Sequence, residues 1–223
     1  MKKIGLIIFI TALAIGVIVA NVFSFGSFSF KSPFSISIGK IKGSGNFVTE
    51  KRQVSDFTKV DVSGAFEVEI IAQKDLAVEV DADDNLLKII KTEVKGDTLE
   101  IERDKSFSSR HRIKIRVYAP NIEDLDVSGA SKINLVNINN ESLNVETSGA
   151  SSVNIKGQAE NLTLDMSGAS QIEAKDLSAK QVSVDGSGAS QANISVSETL
   201  SADLSGASQV KYSGNPTEIN KNT

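Results

Sequence analysis

The chain has 223 residues, of which 40% are hydrophobic and 23% are charged, and its formal net charge is −4. This length is sufficient for one domain with its own core plus an extension, and the acidic balance argues against a nucleic-acid partner, whose phosphates favour a basic surface. The absence of cysteine excludes disulfides and thiolate sites, and a single histidine argues against a histidine metal centre or a Ser-His-Asp relay.

The N-terminus is basic and then apolar. Met1-Lys2-Lys3 is followed by an apolar run, and residues 4–23 would span about 30 Å as a helix. This length predicts a membrane-spanning helix over residues 1–23, although a cleaved signal helix remains an alternative. Both alternatives predict export: the protein is then either anchored to the cytoplasmic membrane or secreted to the cell surface.

Residues 24–44 form a linker rich in Phe, Ser and Gly, which is either an aromatic segment at the membrane interface or a spacer. Residues 45–120 then show alternating strand patterns without a strict repeat. The segment Leu86–Thr92 fits either a helical turn or a strand. We expect residues 45–120 to be the irregular first part of the β fold, which caps one end.

Residues 121–214 are organised by the tetrapeptide Ser-Gly-Ala-Ser, which begins at positions 128, 148, 167, 187 and 205. Ser63-Gly64-Ala65-Phe66 is an earlier copy. Alternate residues on both flanks are apolar, which is the period of a strand. A repeat of 18–20 residues predicts an all-β, right-handed parallel β-solenoid, or β-helix, in which like residues stack. Residues 215–223 are a polar tail.

The position two residues before each motif is always acidic. We call this set the acidic ladder: Asp61, Asp126, Glu146, Asp165, Asp185 and Asp203. Stacked like charges repel by roughly 1 kcal/mol per neighbour in water, so something must offset the repulsion. One interpretation is Ca²⁺ binding along Asp126, Glu146, Asp165, Asp185 and Asp203. The other is that each carboxylate accepts a hydrogen bond from the serine two residues on, with screening by Lys132 and Lys211.

Amide side chains also recur after the motif. The residue directly after the motif is a glutamine in three copies, Gln171, Gln191 and Gln209. Two residues after that position, three copies have an asparagine: Asn134, Asn154 and Asn193. They could bridge one repeat to the next, or they could form a polar face that binds glycans. The repeated serines are not in a Gly-x-Ser-x-Gly context, so we predict no catalytic residue.

These segments resemble the auto-transporter adhesin head GIN domain family of bacterial envelope proteins. The resemblance rests on residues 57–66, Leu86-Leu87, residues 98–101 and the Ser-Gly-Ala-Ser copies, and it extends over residues 43–214. It implies an all-β, solenoid-like fold at the cell surface, and it supplies no catalytic residues.

The favoured function is a non-enzymatic surface module that is adhesive or presents a polar face to a glycan or envelope polymer. The first alternative is a structural scaffold that assembles end to end. The second is a polysaccharide-active β-helix enzyme, which would need a local cluster of unlike carboxylates with Arg or Lys. We expect no cofactor other than Ca²⁺ and no nucleic-acid partner, and we expect contact with the membrane through the N-terminal helix.

Overall fold

The computed structural model describes residues 40–222, where the regular structure is β except for one 3₁₀ turn at Leu87–Ile89. The predicted helix over residues 1–23 lies outside the described residues, as does most of the linker. The strands are β1 (Ile41–Lys42), β2 (Phe47–Arg52), β3 (Lys59–Gly64), β4 (Glu67–Ala72), β5 (Ala77–Asp83), β6 (Ile90–Lys95), β7 (Thr98–Arg103), β8 (Phe107–Ser108), β9 (Lys114–Ala119), β10 (Asp124–Gly129), β11 (Lys132–Thr147), β12 (Ser152–Met166), β13 (Gln171–Gly186), β14 (Gln191–Leu204), β15 (Gln209–Ser213) and β16 (Glu218–Asn222).

Most strands belong to one mixed sheet that nearly closes into a barrel. From one edge to the other, the order is β2, β5, β9, β4, β11, β10, β3, β7 and β6. Strands β12, β13 and β14 extend the sheet one after another from β11, and β15 and β16 both pair with β14. The first half of β11 pairs with β4 and its second half pairs with β10. Near the two edges, the Arg52 Nη2 atom donates a hydrogen bond of 2.8 Å to the Leu87 carbonyl, just before β6.

The prediction of a right-handed parallel β-solenoid is therefore wrong in its architecture, although the all-β class is correct. Antiparallel pairs join β5 to β2 and β9, and β6 to β7. The physical reason lies in residues 45–120, which alternate in polarity but lack the repeat. Gly96, with φ of 63°, allows the tight turn that makes β6 and β7 a hairpin instead of two parallel units.

The repeats themselves pair in parallel, as their period predicts. Strands β11 to β14 are joined consecutively, so that like apolar residues stack in columns inside the wall. One such column is Leu143, Leu162, Val182 and Leu200, and each of these side chains is at most 2% exposed. The ambiguous segment Leu86–Thr92 contains both alternatives, a 3₁₀ turn and then the start of β6.

The last serine of the motif points inward. Ser131, Ser151, Ser170 and Ser190 are each at most 2% exposed, and Phe66 in the first copy is also buried. Because buried hydroxyls need partners, they bond locally: the Ser170 and Ser190 Oγ atoms donate to the carbonyls of Ser167 and Ser187, at 3.2 and 3.1 Å. The serines thus close each turn from inside and leave the outer surface to other residues.

Glycine at the second motif position allows the turns to stack in direct backbone contact. Gly149 and Gly168 have φ of 79° and 78°, a conformation that favours glycine. A Cβ atom on Gly168 would lie 2.5 Å from the Gly149 carbonyl oxygen. The same oxygen accepts a hydrogen bond of 2.8 Å from the Ala169 amide. The turn therefore has no room for any side chain at this position.

Gly168→Ala is expected to destabilise the fold more than Gly96→Ala. Both glycines have positive φ, which costs a non-glycine residue about 1–2 kcal/mol, but a Cβ atom on Gly96 would meet nothing within 4 Å. The clash at Gly168 should add about 1–3 kcal/mol, as overpacking does elsewhere. Urea unfolding of the two variants measures the difference. Equal losses of stability would contradict the close stacking of the turns.

Candidate functional site

The acidic ladder lies in one in-register row on the outer surface. Asp126 is the registered neighbour of Asp61 on one side and of Glu146 on the other. The row continues strand by strand through Asp165, Asp185 and Asp203. Registered neighbours in adjacent strands lie about 4.8 Å apart, so the six carboxylates form a continuous negative line.

Two further glutamates extend the ladder beyond the residues found from the sequence. Glu100 is registered with Asp61, and Glu93 is registered with Glu100. The sequence does contain a signal, since Leu99-Glu100-Ile101 has the same apolar–acidic–apolar order as Val60-Asp61-Val62. It was missed because no Ser-Gly-Ala motif follows Glu100.

The ends of the ladder have polar partners. At one end, the Lys95 Nζ atom lies 2.5 Å from the Glu100 Oε2 atom. At the other, the Asn222 side-chain amide donates a hydrogen bond of 3.1 Å to the Asp203 carboxylate. Lys132 and Lys211, expected as screening residues, instead lie in other rows, beside Glu67 and Asn193 respectively.

The carboxylates at the centre of the ladder are destabilised in their charged form. Burial raises the pKa of Asp126 above its ordinary value, and the charges of Asp61 and Glu146 raise it further. The pKa of Asp61 is raised by burial and then by Glu100 and Glu102, against a smaller opposing effect of Lys95. The negative line therefore carries a repulsion that protonation, salt or a bound cation would relieve.

Between residues 40 and 222, no ladder carboxylate accepts a hydrogen bond from the serine two residues on. The structure therefore does not support that interpretation of the acidic ladder. In the same range, no group of three or more His, Asp or Glu side chains is arranged around a common metal position. Calcium binding along Asp126, Glu146, Asp165, Asp185 and Asp203 stays a prediction.

A second outer surface carries mixed charges and amides. Two neighbouring outward rows cross β9, β4, β11 and β12 and border a groove of about 420 Å³. We call it the outer groove, and its polar border is formed by Lys114, Glu67, Lys132, Arg116, Glu69, Asn134 and Asn154. The apolar residues between them point into the core, because side chains alternate along each strand.

Arg116 is the fixed element of the outer groove. Its Nη1 atom lies 2.6 Å from Asp81 Oδ2, and its Nη2 atom lies 2.9 Å from Glu79 Oε2. Burial alone would raise the pKa of Asp81, but hydrogen bonds from Arg116 and Thr49 and the guanidinium charge hold it below its ordinary value. The guanidinium thus ties β9 to β5 and is not free to bind a ligand.

Four other charged side chains of the outer groove have no such partner. Within residues 40–222, the side chains of Lys114, Lys132, Glu67 and Glu69 form no hydrogen bond and no ion pair within 4.0 Å. Two ammonium groups and two carboxylates balance in charge. Arg116 adds one positive charge, and its partners Glu79 and Asp81 add two negative charges, so the outer groove has mixed charges and a formal net charge of only −1. The donors and acceptors of the four unpaired side chains are available.

The amide side chains continue the same rows toward the C-terminal end. The Asn154 Nδ2 atom donates to Asn134 Oδ1 at 2.8 Å, and Asn193 Nδ2 donates to Glu173 Oε1 at 2.6 Å. Gln171, Gln191 and Gln209 are registered neighbours in the adjoining row. Asn134 and Asn154 thus bridge neighbouring repeats as expected, and Asn193 does so through Glu173, whereas Gln171 donates to Glu173 within its own strand. We call Asn134, Asn154 and Asn193, together with Gln171, Gln191 and Gln209, the amide rows.

The putative auto-transporter adhesin, head GIN domain family matches residues 56–216. The chain belongs to this family. The resemblance noted from the sequence is thereby confirmed, and the mixed barrel described above is the GIN domain of this chain. No functionally curated protein matches the chain.

Solved structures share the fold of this GIN domain. A putative adhesin from Bacteroides fragilis has a TM-score of 0.69 at 23% identity, covering 82% of this chain and 95% of that one. A putative lipid binding protein from Parabacteroides distasonis has a TM-score of 0.54 at 20% identity, covering 82% of this chain and 97% of that one. At these identities the likeness concerns the fold alone. None of these descriptions names an enzyme.

One finding bears on the membrane: between residues 40 and 222, no helix has the length and apolar character needed to cross a bilayer.

Asp126→Asn is expected to stabilise the GIN domain at neutral pH. Because the folded state raises the pKa of Asp126, it binds this proton more readily than the unfolded chain, and the destabilisation is present at pH 7 and disappears as pH falls. Because the carboxylate of Asp126 is exposed and solvent screens most of the repulsion, the gain should be well below about 1 kcal/mol, and the melting temperature at pH 7 should rise by only about 1–2 °C.

The difference should vanish below pH 3.8, the ordinary pKa of the group, and should decrease in high salt. Glu141→Gln removes an exposed carboxylate outside the acidic ladder and serves as the control, with no expected change. A decrease in melting temperature for Asp126→Asn at pH 7 would contradict the repulsion along the ladder.

Proposed function

We propose that this GIN domain is a non-enzymatic, adhesin-like surface module that binds an extended envelope or extracellular polymer across its outer groove and the amide rows. The observation that supports it most is the constant register of those rows. Outward donors and acceptors repeat at the strand spacing of about 4.8 Å from β9 to β14, so they match a polymer with regularly repeated polar groups better than a compact ligand.

The charged border of the outer groove makes a lipid tail a poor occupant. Lys114, Lys132, Glu67 and Glu69 would lose their hydration without gaining partners if an acyl chain covered them. The lipid-binding description of the Parabacteroides distasonis protein is therefore not the function that this groove supports.

The C-terminal end favours a binding module over a scaffold that assembles end to end. Strands β15 and β16 both pair with β14 and form the last layer of the wall. There Lys221 is registered with Ala202, and its ammonium lies 5.4 Å from the ring centre of Tyr212. A lysine in a core-facing row disfavours stacking of a further apolar layer, which is how natural sheets protect their edges.

The proposed function requires export of the domain, and the basic-then-apolar sequence of residues 1–23 supports it. If this segment is an uncleaved helix, it holds the domain outside the cytoplasmic membrane, and if it is cleaved, the domain reaches the cell surface or the medium. Both locations give the outer groove access to envelope polymers. N-terminal sequencing of the exported protein distinguishes the two.

Glu69→Lys is expected to weaken polymer binding about tenfold, because a hydrogen bond to a charged group contributes about 1.5–3 kcal/mol. Glu69 is exposed in the middle of the outer groove, between Arg116 and Asn134. Cosedimentation of the full chain with insoluble cell-wall and capsular polysaccharide preparations measures the binding.

Glu141→Lys makes the same charge change outside the outer groove and should leave cosedimentation unchanged. Equal binding by both variants, or no binding by the unmodified chain to any preparation, would contradict the proposed function.

A further inference from the structure

An outward apolar row lies directly beside the outer groove. Tyr118 on β9 is registered with Ile71 on β4 and with Ala77 on β5, and Ile71 is registered with Val136 on β11. All four side chains are half-buried. The neighbouring outward row is polar and contains Glu79, Arg116, Glu69 and Asn134. Each apolar residue lies two positions along its strand from a member of that row, so the two rows are about 6.6 Å apart.

Tyr118 is the aromatic member of this row, and its side chain is only half-buried. Its registered neighbour on β5 is Ala77, whose side chain ends at Cβ and covers little of the ring. Within residues 40–222, the phenol oxygen makes no hydrogen bond. An aromatic ring beside available carboxylates, ammonium groups and an amide is the combination of one apolar surface and a few oriented polar groups that small-molecule sites use.

The position of the outer groove excludes recognition of a peptide through strand addition. Strands β9, β4, β11 and β12 each have a partner on both sides, so their backbone donors and acceptors are already used. A ligand on this face can hydrogen-bond only to side chains and must supply its own donors and acceptors. A polyhydroxylated molecule meets this requirement.

The charge pattern restricts the ligand further. Lys114 and Lys132 balance Glu67 and Glu69, so a strongly anionic or cationic polymer would meet as much repulsion as attraction. The opposite situation holds along the acidic ladder, which is negative throughout. The outer groove therefore fits a ligand whose net charge is close to zero.

We propose that the outer groove binds a neutral glycan, with one pyranose ring stacked on Tyr118 and its hydroxyl groups hydrogen-bonded to Glu69 and Asn134 in the adjoining row. Lys132 lies one row further along and hydrogen-bonds to the next sugar. The following sugars continue across β12 and β13 over the amide rows. This inference rests on the proposed polymer-binding function and specifies the chemical class of the polymer. Tyr118 supplies the apolar contact, and the rows beside it supply the hydrogen bonds that select hydroxyl groups.

The chain contains two tyrosines and no tryptophan, so tyrosine emission reports directly on the site. In a Tyr212→Phe background, Tyr118 is the single tyrosine, and its fluorescence can be titrated with defined sugars. The probes are maltohexaose and N-acetylchitohexaose as neutral chains, oligogalacturonate as an anionic chain and the deacetylated glucosamine hexamer as a cationic chain. The full chain is kept in a detergent without a sugar headgroup, which would otherwise compete.

A neutral hexaose is expected to change the Tyr118 emission saturably, while the charged chains bind at least about tenfold more weakly. In calorimetric titrations of the same neutral hexaose, Tyr118→Leu should lower the affinity about tenfold, because it keeps an apolar side chain but removes the stacking ring. Tyr212→Leu, at the far C-terminal end, is the matched control and should bind as the unmodified chain does.

Three results would overturn the inference: no response to either neutral hexaose, preferential binding of a charged chain, or unchanged affinity in Tyr118→Leu. If Tyr118→Leu still cosediments with polysaccharide preparations while Glu69→Lys does not, the proposed polymer binding stands and only the stacking on Tyr118 is wrong. If neither the hexaoses nor the preparations bind, both fail.

Discussion

The structure depends on backbone contact between successive Ser-Gly-Ala-Ser turns. At each turn the alanine amide donates to the glycine carbonyl of the previous copy, at 2.7 or 2.8 Å, from Gly64 through Gly188. Such contact requires glycine, because a Cβ atom at the later glycines would lie 2.4–2.6 Å from the same carbonyl oxygen. The turns therefore fix the register of the strands on both of their sides.

Fixed register explains both outer surfaces. When every strand begins at the same level, side chains at equal distances from the turn form straight rows. On one side of the turn this produces the acidic ladder, whose repulsion the fold tolerates because the glycine contacts and buried columns hold the strands together. On the other side it produces the outer groove and its amide rows. One backbone constraint thus generates two surfaces of different charge, each with regularly spaced groups.

The sequence allowed part of this to be predicted. A repeat with apolar residues at alternate positions was sufficient for parallel pairing, buried columns and the ladder from Asp126 to Asp203. The pattern of residues 45–120 predicts strands but not which strands pair with each other or in which direction. The reason is that apolar and polar residues alternate with the same period of two in parallel and antiparallel pairs. The outer groove was missed for that reason: Lys114, Glu67 and Lys132 come from three distant segments that only the pairing brings together.

Hydrogen exchange at the turns tests the central claim most directly. The alanines at the third motif position, such as Ala169 and Ala189, are exposed, yet their amides are bonded to the glycine carbonyls of the preceding copy. Stacked turns predict that these two amides exchange as slowly as those of the neighbouring strands β12 and β13. Exchange at the rate of an unprotected amide, while the strand amides remain protected, would show that the turns are not in contact and would contradict the account.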